Sequence, residues 1–183
     1  MSKTWRGVLL GVVGTLLVLI VIGLLVILTG SYNVAATDRH TALGEWALTT
    51  SMRNAVQGAA DDIEAPAELA PAMIMAGAGE YKAMCVQCHG GIGEGRAEWA
   101  ETMRPKPPAL AHAAREWSSE EIFWLVKHGV KMSGMPAFGP THDDRTLWNI
   151  AAFVKAMPEM SEQEYSSYAV GHVDPPGAAP HQH

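Results

Sequence analysis

The feature that most constrains this chain is a five-residue motif, Cys85-Val86-Gln87-Cys88-His89, which contains both of its cysteines. Two cysteines three positions apart, with a histidine directly after the second, form the C-x-x-C-H pattern of covalent haem attachment. Each thiol can form a thioether to one haem vinyl group, and the adjacent histidine is then positioned to bind the iron. The motif therefore predicts a covalently attached haem with His89 as its proximal ligand.

Two other uses of a paired-cysteine motif have to be weighed. A thioredoxin-like redox site needs strands alternating with helices around its C-x-x-C, and the sequence lacks that pattern. A zinc site needs more soft ligands than two cysteines and one histidine. The sequence favours haem.

A long apolar segment lies near the N-terminus. Residues 7–28 are almost wholly aliphatic, and the chain carries no charge between Arg6 and Asp38. As a helix, these 22 residues extend about 33 Å, enough to cross a hydrocarbon core of about 30 Å. Lys3 and Arg6 precede the segment, so the positive-inside rule places residues 1–6 in the cytoplasm and the rest of the chain on the opposite side. A cleaved signal peptide is the alternative, although its apolar core usually has only about 7–15 residues.

The segment between this anchor and the motif predicts a stalk and a linker. Leu43, Trp46 and Val56 recur near helical spacing, which indicates an amphipathic stalk helix. We expect Trp46 to lie at the membrane surface or against a neighbouring subunit. An isolated, solvated stalk helix is the alternative. Asp61 to Pro71 then form an acidic, proline-punctuated linker, where a domain boundary should fall.

Helix signals also follow the motif. Ser118 begins a capping box before an apolar helical face that should end at Gly129. Asp143 or Asp144 can cap a last domain helix, which Pro158 ends. These patterns predict helices rather than strands.

A wider pattern around the motif resembles a known family. Gly77-x-x-x-Tyr81-x-x-x-Cys85-x-x-Cys88-His89 is similar to the N-terminal helix and haem motif of the class I cytochromes c, which are small, all-helical, single-haem electron carriers. Positions four apart share a helix face, so Gly77 would let another helix cross closely and Tyr81 would pack beside the haem attachment. The resemblance covers about residues 72–160 and implies a C-terminal helix that crosses the first.

Pro108-Ala109-Leu110 resembles the Pro-x-Leu segment of the same family. The resemblance implies that the Pro108 carbonyl accepts a hydrogen bond from Nδ1–H of His89 and so orients the ring. Pro108 and Leu110 are therefore predicted cofactor-binding residues. A merely rigid proline loop is the alternative.

A haem iron bound by histidine can take a methionine thioether on its other face, and this pairing raises the potential into a range suited to electron transfer. Met135-Pro136-Ala137-Phe138 resembles the family's distal-ligand loop, which implies Met135 as the second iron ligand and Phe138 at the haem edge. Met132, on the same loop, is the main competitor. The other candidates are histidines that would give a bis-histidine haem, namely His112, His128 and His142.

The sequence therefore predicts a membrane-anchored c-type cytochrome with one covalently bound haem c. We expect it to cycle between Fe(III) and Fe(II) and to carry single electrons on the extracytoplasmic side of the inner membrane, in the periplasm or an equivalent space. It would be an electron-transfer protein rather than an enzyme, with no organic substrate. The chain has a net charge of −6, so it lacks the excess of basic residues that is typical of a nucleic-acid-binding protein.

The domain is similar to those of oxidase-associated cytochrome subunits, and it equally resembles domains fused to or associated with nitrite reductases and alcohol dehydrogenases. The resemblance does not choose among these, so the expected partner is a redox protein or a membrane oxidoreductase complex. One alternative is a fixed haem subunit of a larger oxidoreductase, and another is a gas or redox sensor with a labile distal ligand. The predicted segments are a cytoplasmic N-terminus over 1–6, a transmembrane anchor over 7–30, a stalk helix and linker over 31–71, a cytochrome c domain over 72–160, and a short helix with a disordered tail over 161–183.

Overall fold

The computed structural model describes residues 2–171, and over these residues its regular structure is entirely helical. The predicted all-α fold class is confirmed. The α-helices are α1 (Lys3–Thr29), α2 (Ala42–Ala60), α3 (Pro71–Glu80), α4 (Val86–His89), α5 (Glu98–Glu101), α6 (Leu110–Ala113), α7 (Ser119–His128), α8 (Asp144–Ala156) and α9 (Glu162–Ser167). The predicted disordered tail lies almost wholly outside the described residues.

The chain divides into two compact units, Met1–Asp38 and Arg39–His183. The first contains α1, which is long and apolar enough to cross a membrane. The Thr15 hydroxyl donates to the carbonyl of Gly11, four residues earlier, at 2.9 Å. This bond satisfies a polar group that an apolar surrounding would otherwise penalise.

The core of the second unit is the crossing of α3 and α8. A Cβ atom added to Gly77 would lie 1.9 Å from the backbone oxygen of Asn149, so only glycine permits this approach. Tyr81 and Phe153 are fully buried beside the crossing, and their ring centroids are 5.2 Å apart. The predicted close passage of two helices at Gly77 is confirmed.

The helix that leads to the haem motif is not uniform, contrary to the spacing argument. Sequence periodicity predicts one α-helix through Cys85, whereas residues Tyr81–Cys85 form a π-helical turn between α3 and α4. The Val86 N–H donates to the carbonyl of Tyr81, five residues earlier. One wider turn changes the phase of the residues that follow it. Cys85 therefore does not simply continue the helix face that carries Gly77 and Tyr81.

The predicted stalk helix is α2, and it belongs to the second compact unit. Its C-terminal half packs on α7, with Val56 only 1% and Ala60 6% exposed. Leu43 and Trp46, near its N-terminus, remain 73% and 64% exposed.

The predicted helix caps of the second unit are present. Ser118 Oγ accepts from the backbone N–H of Glu121 at 3.1 Å, while the Glu121 carboxylate accepts from the Ser118 N–H at 2.6 Å. The helix α7 ends at Gly129, as expected. Of the two candidate caps of α8, Asp143 is the one used, and its Oδ1 accepts from the Thr146 N–H at 2.8 Å.

Candidate functional site

A cavity of about 760 Å³ lies in the second unit. Its volume falls within the roughly 300–1,000 Å³ of ordinary ligand pockets. Five of the predicted site residues border it: Cys88, His89, Pro108, Leu110 and Met135. Residues up to 47 positions apart in sequence, such as Cys88 and Met135, are thus brought to one space.

The imidazole of His89 is oriented by the backbone. Its Nδ1 lies 2.9 Å from the carbonyl oxygen of Pro108. A carbonyl can only accept, so Nδ1 carries the hydrogen and Nε2 keeps a lone pair for a metal. Burial lowers the pKa of His89, with a further lowering from the Arg96 charge, while the bond to Pro108 acts in the opposite direction. The neutral ring is the form that a metal requires.

Arg96, which sequence analysis missed, holds the loop that carries this acceptor. Its side chain is only 9% exposed, and its guanidinium donates to the Pro107 carbonyl and pairs with Glu101 at 3.3 Å. Arg96 thereby ties the proline loop beside His89. No motif marks it, because its partner is a backbone oxygen.

The two cysteines of the motif form no disulfide and differ in position. Cys88 borders the cavity, whereas Cys85 is half-buried and does not border it. Burial, aided by the neighbouring Cys88 and Glu80, raises the pKa of Cys85 to about 12. Redox-active C-x-x-C motifs instead have a cysteine with a lowered pKa. The environment of Cys85 is therefore unlike that of a disulfide oxidoreductase.

Tyr81 and Phe138 lie outside the cavity wall. The Tyr81 hydroxyl donates to the carbonyl of Gly90 at 2.6 Å, so it fixes the turn directly after His89. Burial raises the pKa of Tyr81, which keeps the hydroxyl a neutral donor. Phe138 packs edge-on against His142, with ring centroids 5.7 Å apart. Direct contact of Tyr81 or Phe138 with a haem stays a prediction.

The loop that carries Met135 folds back onto the end of α7. The Val130 N–H donates to the Met135 carbonyl at 3.2 Å, and the Phe138 N–H donates to the Val126 carbonyl at 3.1 Å. Gly129 turns the chain with φ +64°, and a Cβ there would lie 2.7 Å from the Met135 oxygen. This backbone arrangement places Met135 on the cavity.

The competing ligands proposed from sequence are located elsewhere. Met132 is 82% exposed and does not border the cavity. His112 and His128 are exposed, and the half-buried His142 packs on Phe138, so none of the three borders the cavity. Three cavity residues that the sequence did not single out could supply a ligand atom, namely His40, Met52 and Met103.

One buried group of the lining suits an anionic ligand. Arg104 borders the cavity, and its buried Nε has no hydrogen-bond partner among the described residues, although its Nη1 donates to the backbone carbonyls of Met103 and Glu101. Such an orphaned donor is costly unless a ligand satisfies it. Haem carries two carboxylates, and arginine binds carboxylates well. The residues of this cavity therefore fit a haem, with Arg104 as a candidate propionate partner.

The donor atoms at the cavity would suit an iron held in a porphyrin. Among the described residues, no three His, Cys, Asp or Glu side chains are clustered to hold a metal. His89 and Met135 both border the cavity and would supply two donors, the number that remains when a porphyrin supplies its four nitrogens.

Comparisons with known proteins agree with this geometry. A family model described as cytochrome c oxidase, cbb3-type, subunit III matches residues 72–154, just under half of the chain. The matched segment contains all of α3 except Pro71, the C-x-x-C-H motif, the proline loop, the Met135 loop and most of α8. No curated protein and no solved structure matches the chain.

Proposed function

Since residues 72–154 are a c-type cytochrome domain of the kind found in oxidase subunits, we propose that this protein carries single electrons through one covalently bound haem c. Haem-based electron transfer follows from the domain itself. The proposal adds the number of haems, the ligands and the membrane location.

The observation that carries the proposal is that His89 and Met135 border one cavity while Pro108 holds the imidazole with Nε2 free for iron. A haem, when bound, supplies a one-electron Fe(III)/Fe(II) couple. Cys85 and Cys88 would tether it, and His89 and Met135 would hold the iron. With two iron ligands supplied by the chain, the site would favour electron transfer over binding of O₂ or peroxide.

The location is proposed from α1. Lys3 and Arg6 precede the apolar residues of this helix, so the positive-inside rule favours a haem domain on the extracytoplasmic side of a single-pass anchor. Covalent attachment at C-x-x-C-H is compatible with that placement. The partner is a redox protein or membrane oxidoreductase, and no organic substrate is needed.

A potentiometric titration of the purified full chain in detergent tests the function. We expect a c-type spectrum that is reduced and reoxidised reversibly with a one-electron slope, about 59 mV per tenfold change in ratio. The His89→Ala variant should lose this couple. A wild-type chain that binds no covalent haem, or that shows no reversible couple, would refute the proposal.

The matched family favours one further candidate, a fixed haem subunit of a membrane oxidase, because its description names an oxidase subunit. Purification in a mild detergent separates the two. Co-purification with spectrally identified oxidase haems at a constant ratio supports the subunit role, whereas isolation of the chain alone supports a free carrier. A gas sensor would bind CO readily in the reduced state, whereas a haem with both positions filled should not.

A further inference from the structure

The helix α2 carries a stripe of residues on one face that is buried only at its C-terminal end, where it packs on α7, and continues beyond that contact. Glu45, Thr49, Met52, Val56 and Ala60 follow one another at steps of three or four, which places them on one helix face. Val56 and Ala60 are buried, while Met52 is half-buried and the first two are exposed. Packing on α7 therefore accounts for only the C-terminal half of this stripe.

The N-terminal half of the stripe borders the same cavity as His89 and Met135. Glu45, Thr49 and Met52 line it, as does Arg53 beside them. The residues just before the helix, Arg39 and His40, line it as well. All six lie outside residues 72–154, the segment that matches the cytochrome family.

A polar contact holds α2 at the rim of this cavity. The Arg53 guanidinium donates to the Glu116 carboxylate and lies 5.0 Å from the ring centroid of Trp117. Glu116 and Trp117 also border the cavity. The Arg53 and Glu116 side chains are 40% and 61% exposed, so the pair contributes little stability of its own. Its position points to a role at the site.

We propose that α2, together with Arg39 and His40, forms a wall of the haem site, with Met52 packed beside the haem and the Arg53–Glu116 pair acting on its potential. This inference rests on the proposed function. It extends the haem-binding unit to Arg39, so that residues 72–154 are completed by a helix that precedes them.

The first test uses methyl NMR of the full-length holoprotein in detergent micelles, with ¹³C-labelled methionine methyl groups. The Met52 resonance, assigned by its loss in Met52→Leu, should shift between the ferric and ferrous states because the iron changes its magnetism. Met160 borders a separate surface pocket and serves as the matched control. If the Met52 signal is as insensitive to oxidation state as that of Met160, the proposal that α2 packs beside the haem is wrong.

The outcomes separate this proposal from the proposed function. A c-type spectrum with a redox-sensitive Met135 signal but an insensitive Met52 signal overturns only the role of α2. A chain that attaches no haem overturns both.

The second test compares reduction potentials of single-charge variants. Removing a cation near the haem favours Fe(III), so Arg53→Gln should lower the potential, and Glu116→Gln should raise it. We expect at least a twofold change in the equilibrium ratio in each direction, about 18 mV for a one-electron couple. Arg115→Gln is the control, because Arg115 pairs at 3.0 Å with Glu159, and neither residue borders the cavity.

If the Arg53–Glu116 pair only holds α2 in place, the reduction potentials should follow a different pattern. Either substitution would break the same contact and loosen α2 equally, so both potentials would move in the same direction. Shifts of the same sign, or shifts no larger than that of Arg115→Gln, would contradict the proposed electrostatic role.

Discussion

Replacing Gly77 with alanine tests the helix crossing on which the haem motif is built. A Cβ at this position would lie 1.9 Å from the Asn149 oxygen, 2.4 Å from the Asn149 carbonyl carbon and 2.9 Å from the Ile150 nitrogen. These are backbone atoms of α8, which cannot rotate away as a side chain could. Ordinary contact begins at 3.4 Å, so α3 and α8 must separate locally by about 1.5 Å, the difference between 3.4 and 1.9 Å.

The expected loss in the free energy of unfolding follows from the core packing between α3 and α8 that this separation disturbs. Overpacking a core typically costs about 1–3 kcal/mol, and the rigid backbone here places Gly77→Ala at or above the upper end. The better helix propensity of alanine offsets about 1 kcal/mol. We therefore expect a net loss of about 2–3 kcal/mol. At about 2–4 °C per kcal/mol for a domain of this size, Tm should fall by roughly 4–12 °C.

Thermal unfolding of the full-length holoprotein, followed by circular dichroism and haem absorbance, measures this effect. Gly58→Ala is the matched control, because Gly58 lies inside α2 with nothing within 4 Å of an added Cβ. It should leave Tm unchanged or raise it by the propensity gain. A Gly77→Ala protein as stable as Gly58→Ala would refute the close crossing.

Three further substitutions test the site and its supports. Met135→Leu should abolish the weak Fe–S charge-transfer absorption of the ferric protein and lower its reduction potential. Met103→Leu, which alters another methionine of the cavity, should keep this absorption band. The reverse result would reassign the ligand to Met103. Tyr81→Phe removes the bond to the Gly90 carbonyl and should cost about 1–2 kcal/mol in chemical denaturation, so an unchanged midpoint would show that the bond is unimportant. Ser118→Ala removes the N-cap of α7 and should lower the free energy of unfolding in chemical denaturation by about 1 kcal/mol. The ferric spectrum should not change. Loss of the Fe–S band would contradict a purely local role of this cap.

Local signals predicted much of this structure. The capping box at Ser118, the stop at Gly129 and the close crossing at Gly77 depend on a few neighbouring residues or on one missing Cβ, and the sequence displays them directly. The motif around His89 and the Pro108 segment carry a family resemblance, and the structure brings them within hydrogen-bonding distance.

Features that depend on long-range packing could not be predicted. Arg96 donates to the Pro107 carbonyl, and a bond to a backbone oxygen leaves no pattern in the sequence. The Nε of Arg104 has no hydrogen-bond partner among the described residues, which only the packed structure reveals. The π-helical turn at Tyr81–Cys85 changes the helical phase, and these five residues include no glycine or proline that would predict a break in the helix. The spacing of α2 correctly indicated an amphipathic helix, but not that Met52 borders the cavity.

Covalent haem attachment is the most direct test of the central claim. The full chain, produced together with a c-type haem attachment system, should gain the mass of one haem that survives denaturation, and its reduced spectrum should be that of a c-type cytochrome. Replacing both Cys85 and Cys88 with serine should abolish the covalent mass gain. A wild-type chain that remains at its polypeptide mass under these conditions would contradict the account.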